Sequence, residues 1–338
     1  VPEIDLVLGT HTYHQLPEAL AAFREANRPQ VRLGSIHDPI PDDLPSVPQG
    51  TLSAWVTVMQ GCTNFCSYCI VPYTRGPEKS RSIESIKGEI EGLVSKGFKE
   101  FSLLGQNVNV YGKDLGTSLA ALLREVSAIP GVDRVRFITS HPRDFDEELV
   151  LAVKHNPQVC EYFHLPIQAG ANKVLREMNR GYTREEYLEK VAMIRKHLPD
   201  AAISTDLIVG FPGETEEEFE QTLAIVEEVG YDLANTAAYS IRPYTEAGKR
   251  EDQIPEAVKS ERLNRLNQLI LEVASKKNQA RLGKTEEVLV ESRETDGRYR
   301  GRTRTNKMIF FPSDQELTGK LVRVEVVGAS PWALQATL

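Results

Sequence analysis

The chain has 338 residues, of which 41% are hydrophobic, and its formal net charge is −8. This length predicts about two domains with a full core, and the absence of any run of roughly 18 apolar residues excludes a membrane-spanning helix. Three of the four cysteines are clustered, which excludes a disulfide framework and suits a reducing compartment. We therefore expect a cytoplasmic monomer with no membrane association.

The first 50 residues predict the end of an α/β unit followed by a linker. Ile4–Leu8 has the apolar character of a strand, and Pro17 opens a short helix over 18–24. Prolines crowd into 39–48, where they fix the backbone and remove donors, so this stretch predicts a linker. Because the chain enters this pattern abruptly at Val1, we expect an N-terminal portion to be absent.

The next part of the chain alternates strands and helices. Apolar runs predict six strands, over 52–59, 100–104, 134–138, 162–165, 203–209 and 236–240. Two of the helices between them begin with capping boxes, Thr183 with Glu186 and Thr215 with Glu218. The alternation predicts a parallel sheet, either open and doubly wound or curled into a barrel, with ligands at the C-terminal strand ends. A long helix over 256–279 then leads into a small antiparallel β module.

Three cysteines follow the first of these strands. Cys62, Cys66 and Cys69 have the spacing C-x3-C-x2-C, and three thiolates on one loop can hold a 4Fe–4S cluster with one iron left open. A metal centre with an open position can bind a substrate or cofactor. The alternative is a zinc knot completed by a distant histidine. Zinc sites usually use a second cysteine pair downstream, whereas Cys160 stands alone, so the spacing favours the cluster.

The cysteine spacing resembles the signature of the radical S-adenosylmethionine (SAM) enzymes, and further motifs resemble their methylthiotransferase branch. These motifs read CIVPYTRG (69–76), LLGQNVNVYG (103–112), LPIQ (165–168), MNRGYT (178–183) and TDLIVGFPGET (205–215). The resemblance covers essentially the whole chain. It implies an α/β fold, a partial (β/α)6 radical SAM barrel over 51–281, followed by a small all-β TRAM barrel that binds RNA over 282–338. Residues 1–50 would be a remnant of the N-terminal methylthiotransferase domain plus the linker.

The resemblance also implies roles for particular residues. Cys62, Cys66 and Cys69 would ligate the cluster that binds SAM. Gly105, Gln106 and Asn107, at the end of the second strand, would meet SAM, and Gln168 and Asp206 are further cofactor-binding candidates on later strands. A polar side chain that satisfies backbone groups at a barrel rim is an equally good interpretation of Gln106 and Gln168. No catalytic residue can be assigned.

The implied activity is transfer of a methylthio group to carbon 2 of N6-isopentenyladenosine beside the anticodon of a tRNA. One SAM would methylate a sulfur, and another would yield the radical that removes the adenine hydrogen. The resemblance further implies a flavodoxin- or ferredoxin-type electron donor and a second 4Fe–4S cluster held by three N-terminal cysteines. Those cysteines are absent from this sequence, so we expect their domain to be missing from it.

Two alternatives remain open. The first is a methylthiotransferase that acts on a ribosomal protein or on the threonylcarbamoyl form of the tRNA adenosine. The second belongs to another class, a non-catalytic RNA-binding protein with a structural metal. The net charge of −8 ordinarily argues against a nucleic-acid partner, but the charge is unevenly spread along the chain.

The C-terminal module contains the candidate RNA-binding residues. Residues 293–307 carry six Lys or Arg against two Asp or Glu, which is a local basic footprint on an acidic protein. Arginines alternate with other residues there, so a strand would present them on one face. The candidates are Arg298, Arg300, Arg302, Arg304 and Lys307.

Overall fold

The structure, a computed structural model, describes residues 3–36 and 50–338. The expected proline-rich linker at 39–48 lies outside the described residues. The N-terminal segment contains β1 (Leu6–Leu8), α1 (Leu16–Ala26) and β2 (Gln30–Arg32), and its two strands pair in parallel. This arrangement confirms the predicted strand and helix of an α/β unit.

The middle of the chain alternates strands and helices, as the apolar periodicity predicts. Its elements are β3 (Ser53–Thr57), β4 (Met59–Gln60), α2 (Val71–Arg75), β5 (Lys79–Ser80), α3 (Ile83–Val94), β6 (Glu100–Leu104), α4 (Leu119–Ser127), β7 (Arg134–Phe137), α5 (Glu147–His155), β8 (Tyr162–His164), α6 (Asn172–Glu177), α7 (Arg184–His197), β9 (Ala202–Val209), α8 (Glu216–Val229), β10 (Leu233–Ala238) and α9 (Glu256–Gln279). Both predicted capping boxes are formed, at the start of α7 and of α8.

Six of these strands form the wall of a partial barrel. They run in parallel in the orders β3–β6–β7 and β8–β9–β10, and a bridge between Val135 and Val159 joins the two sheets. Within the described residues no pairing joins β3 to β10, so the wall stays open there. The spatial order follows the chain order, which is the expected right-handed β/α topology. The predicted partial (β/α)6 barrel is therefore confirmed.

The two faces of β6 have different surroundings. On β6, Phe101 and Leu103 are fully buried in the main core, which also contains Ile86 of α3 and Leu122 of α4. The alternating residues, such as Ser102, face the inside of the barrel, where they line a cavity.

No helix in the described part of the chain is long and apolar enough to span a membrane.

The C-terminal module is a closed barrel of five strands. Its strands are β11 (Thr285–Arg293), β12 (Arg298–Thr303), β13 (Met308–Pro312), β14 (Leu321–Ala329) and β15 (Ala333–Thr337), in the order β11–β12–β13–β15–β14. The expectation of a purely antiparallel module is wrong for β13 and β15, which pair in parallel. A closed ring of five strands cannot alternate direction all the way round, so one pair must be parallel. Tyr299 and Phe311 lie in its separate core.

The small barrel is attached to the N-terminal ends of the strands of the large one. Arg134, at the start of β7, is fully buried and donates to the backbone carbonyls of Arg302 (2.7 Å) and Glu287 (2.9 Å). Arg136 donates to the carbonyls of Thr303 and Arg304, both at 2.8 Å. The cysteine loop lies at the opposite ends of the strands, so the two barrels leave that side free.

Candidate functional site

The cysteine loop leaves the barrel wall after β4 and is fastened by backbone contacts. Gly61 has a φ of +82°, and a Cβ at this position would lie 1.9 Å from the carbonyl oxygen of Pro77. Only glycine allows the loop to approach the segment after α2 so closely. The amide of Cys62 donates to the carbonyl of Gly76 (3.0 Å), and that of Cys69 donates to the carbonyl of Cys66 (2.9 Å). The three cysteines therefore share one fixed loop.

Three thiols on one loop are the donor set that a 4Fe–4S cluster with one open iron needs. Among the described residues, no three His, Cys, Asp or Glu side chains are grouped closely enough to hold one metal ion. A 4Fe–4S cluster needs a wider set, because each thiolate binds a different iron. Burial, with smaller contributions from the charges of Glu78 and the other two cysteines, raises the pKa of the Cys62 thiol to about 11. Binding of iron must therefore displace a tightly held proton.

A buried arginine lies against the middle cysteine. The guanidinium of Arg180 is almost fully buried, and its Nη1 lies 3.4 Å from the Sγ atom of Cys66. Its other donors reach the hydroxyls of Tyr182 (2.9 Å) and Tyr68 (3.4 Å) and the carbonyl of Pro166 (2.8 Å). In the described part of the chain, no carboxylate forms an ion pair with Arg180. A buried cation without an acidic partner is costly, so its surroundings suit a negatively charged centre beside Cys66.

The residues just before Arg180 also hold the cysteine loop. The amide of Ser67 donates to the carbonyl of Met178 (3.0 Å), and the Ser67 hydroxyl donates to the carbonyl of Glu177 (2.8 Å). Asn179 has a φ of +56°, and its side chain donates to the carbonyl of Phe65 (2.9 Å). Met178, Asn179 and Arg180 belong to the motif MNRGYT, although no role is predicted for them from the sequence. That motif was the available signal.

The end of β6 brings one predicted SAM-binding residue to the loop. Gln106 accepts a hydrogen bond through Oε1 from the amide of Gly61 (2.8 Å), directly before Cys62. Asn107 is buried and donates to Asp144 (2.7 Å), while its own side-chain oxygen has no hydrogen-bond partner. Gln106 therefore has the backbone-satisfying role that was one of its two interpretations. Asn107 keeps an unused acceptor.

The candidates on later strands form a second group. Gln168 is buried with a φ of +79°, and its amide donates to the carbonyl of Asp206 (2.9 Å). The carboxylate of Asp206 lies 3.2 Å from the ring of His164 and accepts from Asn235 (2.9 Å). Burial raises the pKa of Asp206, but the hydrogen bonds from His164 and Asn235 outweigh it and lower that pKa overall. This carboxylate is therefore charged at neutral pH.

A cavity of about 690 Å³ lies at the cysteine-loop end of the barrel. Gly105 and Gln106 line it, together with Arg75 and with Tyr13 of the N-terminal segment. This volume is in the range of small-molecule sites, about 300–1,000 Å³. Asn107, Gln168, Asp206 and the three cysteines are not among its lining residues. The structure thus brings two of the five cofactor-binding candidates to this cavity.

The predicted basic face is smaller than the sequence pattern indicates. On β12, Arg298, Arg300 and Arg302 point outward, while the residues between them are buried. Arg304 lies beyond the end of β12 and forms an ion pair with Glu161 of the large barrel (2.8 Å). Lys307 is buried and pairs with Asp232 (2.9 Å). The expectation that a strand presents all four arginines on one face is therefore wrong for Arg304, and docking of the barrels takes both Arg304 and Lys307 into the interface.

The outward arginines are partly neutralised by their neighbours. Arg298 pairs with Asp296 (2.7 Å), and Arg302 pairs with Glu291 (3.1 Å). Arg300 lies 3.2 Å from Glu294. Such exposed pairs are weak, of the order of 1 kcal/mol or less, so an RNA phosphate can compete for these arginines.

The sequence matches two family descriptions. Residues 56–226 match the radical SAM superfamily, and residues 279–338 match the TRAM domain. Relatives include the tRNA-2-methylthio-N(6)-dimethylallyladenosine synthase of Moorella thermoacetica, which is 49% identical over all of this chain and 77% of that protein. The same enzyme of Clostridium botulinum (strain Okra / Type B1) is 47% identical over 98% of this chain and 75% of that protein.

Solved structures share the fold at low sequence identity. One is a radical SAM methyltransferase from Kitasatospora setae bound to tryptophan and a SAM analogue, with a TM-score of 0.50 and 20% identity over 59% of this chain and 38% of that one. Another is coproporphyrinogen III oxidase from Escherichia coli, a radical SAM enzyme, with a TM-score of 0.50 and 16% identity over 67% of this chain and 54% of that one. These likenesses support the barrel fold alone.

The sequence relatives, by contrast, cover nearly the whole chain at almost half identity. They agree with the three-cysteine loop, with the partial barrel that carries it, and with the small β-barrel at the C-terminus. The chain therefore belongs to the radical SAM superfamily and, within it, to the family of the tRNA-2-methylthio-N(6)-dimethylallyladenosine synthases.

Proposed function

We propose that this protein adds a methylthio group to carbon 2 of N6-dimethylallyladenosine in tRNA, which is the N6-isopentenyladenosine named above. Similarity to relatives of that name over nearly the whole chain supports the substrate. The observation that supports the chemistry is that the loop of three cysteines lies beside the buried guanidinium of Arg180, which has no carboxylate partner among the described residues. Nothing in the described residues favours a ribosomal protein or a purely structural metal instead.

In this proposal Cys62, Cys66 and Cys69 hold one 4Fe–4S cluster, whose open iron binds SAM. When bound, the cluster supplies the electron for reductive cleavage of SAM and so the hydrogen-abstracting radical. The chain's own residues position this centre. Gln106 and Gly61 fix the start of the loop through their hydrogen bond. Arg180 balances the negative charge of the thiolates, because no acidic side chain competes for it among the described residues.

The remaining candidates would bind SAM or the RNA. Gly105 and Gln106 line the cavity at the cysteine end, which suits a small cofactor. Asn107 contributes a buried acceptor without a partner. Gln168 and Asp206 lie further along the strand ends, where the charged carboxylate of Asp206 can accept hydrogen bonds from a ribose. The outward arginines of β12 are the groups that would meet tRNA phosphates.

The proposal includes the division of the chain and its partners. Residues 51–281 form the radical SAM domain, residues 282–338 form the TRAM domain, and residues 1–50 contain the end of a methylthiotransferase domain and its linker. In this proposal a second 4Fe–4S cluster, which serves the sulfur transfer, belongs to the methylthiotransferase domain. A flavodoxin- or ferredoxin-type protein delivers the electrons. We propose that the enzyme is a monomer in the cytoplasm, because its substrate is a tRNA and its thiols must stay reduced.

Mass spectrometry of tRNA nucleosides tests the activity. Cells that lack the full-length gene should accumulate N6-dimethylallyladenosine and lose its 2-methylthio derivative. Returning the gene should restore the product, and returning it with Cys66→Ala should not. If the 2-methylthio nucleoside persisted in the deleted cells, the proposed substrate would be wrong. A change confined to a ribosomal protein or to threonylcarbamoyladenosine would point to the corresponding relative activity.

A further inference from the structure

A second cavity, of about 540 Å³, lies between the inside of the large barrel and the TRAM barrel. The large barrel contributes residues from the beginnings of its strands, including Ser53, Glu100 and Tyr162, and the TRAM barrel contributes Arg300 and Arg302. The volume falls within the range of ligand sites, about 300–1,000 Å³. Neither barrel could form this cavity alone, so it exists only because the two domains are docked.

Trp55 of β3 connects this cavity with the one at the cysteine loop. It lines both of them, as does Ile138. The side chain of Trp55 is 60% exposed, which is unusual for an indole that faces the inside of a barrel. A large aromatic surface left open in a polar cavity is a platform on which a planar group can stack.

The polar lining of the interdomain cavity is only partly satisfied. Glu100 and Arg136 are buried and form an ion pair, with Oε2 of Glu100 3.1 Å from Nε of Arg136, although neither atom has a hydrogen bond of good geometry. Nε of Arg300 has no hydrogen-bond partner and lies 3.7 Å from Oε2 of Glu291. The lining thus has hydrogen-bonding capacity left for a polar ligand. The lining therefore combines a stacking surface, hydrogen-bonding groups and cations, which together recognise a nucleotide.

We infer that the interdomain cavity binds one nucleotide of the RNA, a neighbour of the modified adenosine, with its base on Trp55 and its phosphate beside Arg300 and Arg302. This inference rests on the proposed function, because it takes RNA as the substrate. A five-residue strand is roughly 13 Å long, so one base cannot occupy both this cavity and the cysteine end. The bound nucleotide thus flanks the reacting one and holds the RNA in register.

The emission of Trp55 tests the inference directly, because the chain has only two tryptophans. In a Trp332→Phe protein, Trp55 is the sole tryptophan, and an anticodon stem–loop RNA containing N6-dimethylallyladenosine should quench its emission to saturation. The matched Trp55→Phe protein keeps Trp332 alone, and the quenching of Trp55 must exceed the response of that residue, which lines a pocket with Arg302. Tripolyphosphate, which has charge but no base, should leave Trp55 emission unchanged. An equal response to tripolyphosphate would show that no base stacks on Trp55.

RNA affinity gives a second measurement. Stacking on an aromatic side chain makes a contribution whose loss weakens binding roughly 10- to 100-fold, so Trp55→Ala should weaken it by that factor while Trp55→Phe keeps most of it. Glu291→Gln should strengthen binding, because Glu291 competes with phosphate for Arg302. Thermal unfolding of each variant checks that the fold is intact.

The possible results separate this inference from the proposed function. Unchanged RNA affinity in Trp55→Ala, in a protein that remains folded, would overturn the inferred nucleotide site. If the Trp55 emission responded to the RNA while tRNA from deleted cells kept its 2-methylthio nucleoside, the site would stand and the proposed substrate would fall. If the nucleoside assay succeeded and Trp55 did not respond, only the inferred site would fail.

Discussion

Arg180 is the residue whose burial is hardest to explain from the fold alone. Its guanidinium contacts hydroxyls, a carbonyl and the sulfur of Cys66, and no carboxylate pairs with it in the described part of the chain. Hydrogen bonds and charges around the sulfurs tune the reduction potential of iron–sulfur clusters. In the proposed centre, a fixed cation at Cys66 would stabilise the reduced cluster, which carries one more negative charge than the oxidised one.

The Arg180→Gln variant should lower the midpoint potential of the reconstituted cluster. We expect the ratio of reduced to oxidised cluster, at a fixed donor potential, to fall about tenfold, which is about 59 mV for a one-electron couple. Redox titration followed by electron paramagnetic resonance measures this shift. Arg180→Lys keeps the charge and should restore most of the potential.

The matched control for Arg180 is Arg242→Gln. The charge of Arg242 also acts on Cys69, but its side chain is exposed, so water and salt should screen it. Equal shifts in Arg180→Gln and Arg242→Gln would contradict a specific effect of the buried guanidinium. An unchanged potential in Arg180→Gln, with full iron content, would limit Arg180 to packing.

Cys66→Ala should remove the cluster without unfolding the barrel. Two remaining thiolates hold a 4Fe–4S cluster poorly, so the variant should retain far less than about four irons per chain and should lose reductant-dependent formation of 5′-deoxyadenosine. Iron and acid-labile sulfide analysis measures the loss. The control is Cys160→Ala, since Cys160 is buried in the barrel wall and has no assigned role. SAM cleavage at the wild-type rate in Cys66→Ala would refute the cluster assignment.

The sequence could predict which residues form the site only where their chemistry is distinctive. Three cysteines at fixed spacing indicate a cluster, and the end of β6 indicates the position of Gln106. Arg180 lies in the MNRGYT motif, but the motif does not indicate burial, because arginines are usually exposed. Only the three-dimensional structure shows that Arg180 is buried without an acidic partner among the described residues. Trp55 lies in an apolar run that reads as an ordinary strand, and only the open barrel reveals that its indole is exposed.

At the scale of single elements, β12 contains the arginines that we propose to contact tRNA phosphates. Arg300→Ala combined with Arg302→Ala should weaken tRNA binding and flatten its salt dependence. Each lost phosphate contact lowers the slope of log affinity against log salt by about 0.7–0.9. Binding measured over a range of salt concentrations gives this slope. An unaltered slope would mean that the face is ordinary surface.

The control for β12 must remove the same charge from another face. Lys320→Ala with Arg323→Ala does so, because both side chains are exposed and Arg323 lies on β14, separated from β12 by β11. The residues that alternate with the arginines cannot serve as controls. Tyr299 and Thr303 are fully buried, so truncating them would damage the core of the barrel rather than its surface.

Elements with a strong apolar period could be predicted from the sequence. Residues whose position depends on contact between the two barrels could not. The helix over 256–279 has the predicted bounds, and the strand over 100–104 does too. Alternation also predicts the outward arginines of β12. It fails at Arg304, because the strand ends at Thr303 and the chain turns toward Glu161 of the large barrel. Contacts between distant segments override local periodicity there.

At the scale of the whole molecule, Arg134 should hold the two barrels together. Arg134→Ala removes hydrogen bonds to two partly buried carbonyls and an ion pair with Glu287, so the free energy of unfolding should fall by about 3 kcal/mol. Urea-induced unfolding followed by circular dichroism measures the loss, and the variant should unfold in two steps if the barrels separate. Arg124→Ala, at an exposed helical position, should change stability by no more than about 0.5 kcal/mol. Equal stabilities of the two variants would contradict this role.

The attachment of the TRAM barrel through backbone carbonyls has a consequence for the RNA. Carbonyl acceptors cannot swing away as side chains can, so the arginines of β12 stay at a constant separation from the cysteine loop. This fixed separation would set the length of nucleic acid between the arginines of β12, which would bind phosphates, and the cysteine loop, where the adenine would react. The position of an adenosine within its loop, and not only its chemical identity, would thereby decide whether it is modified.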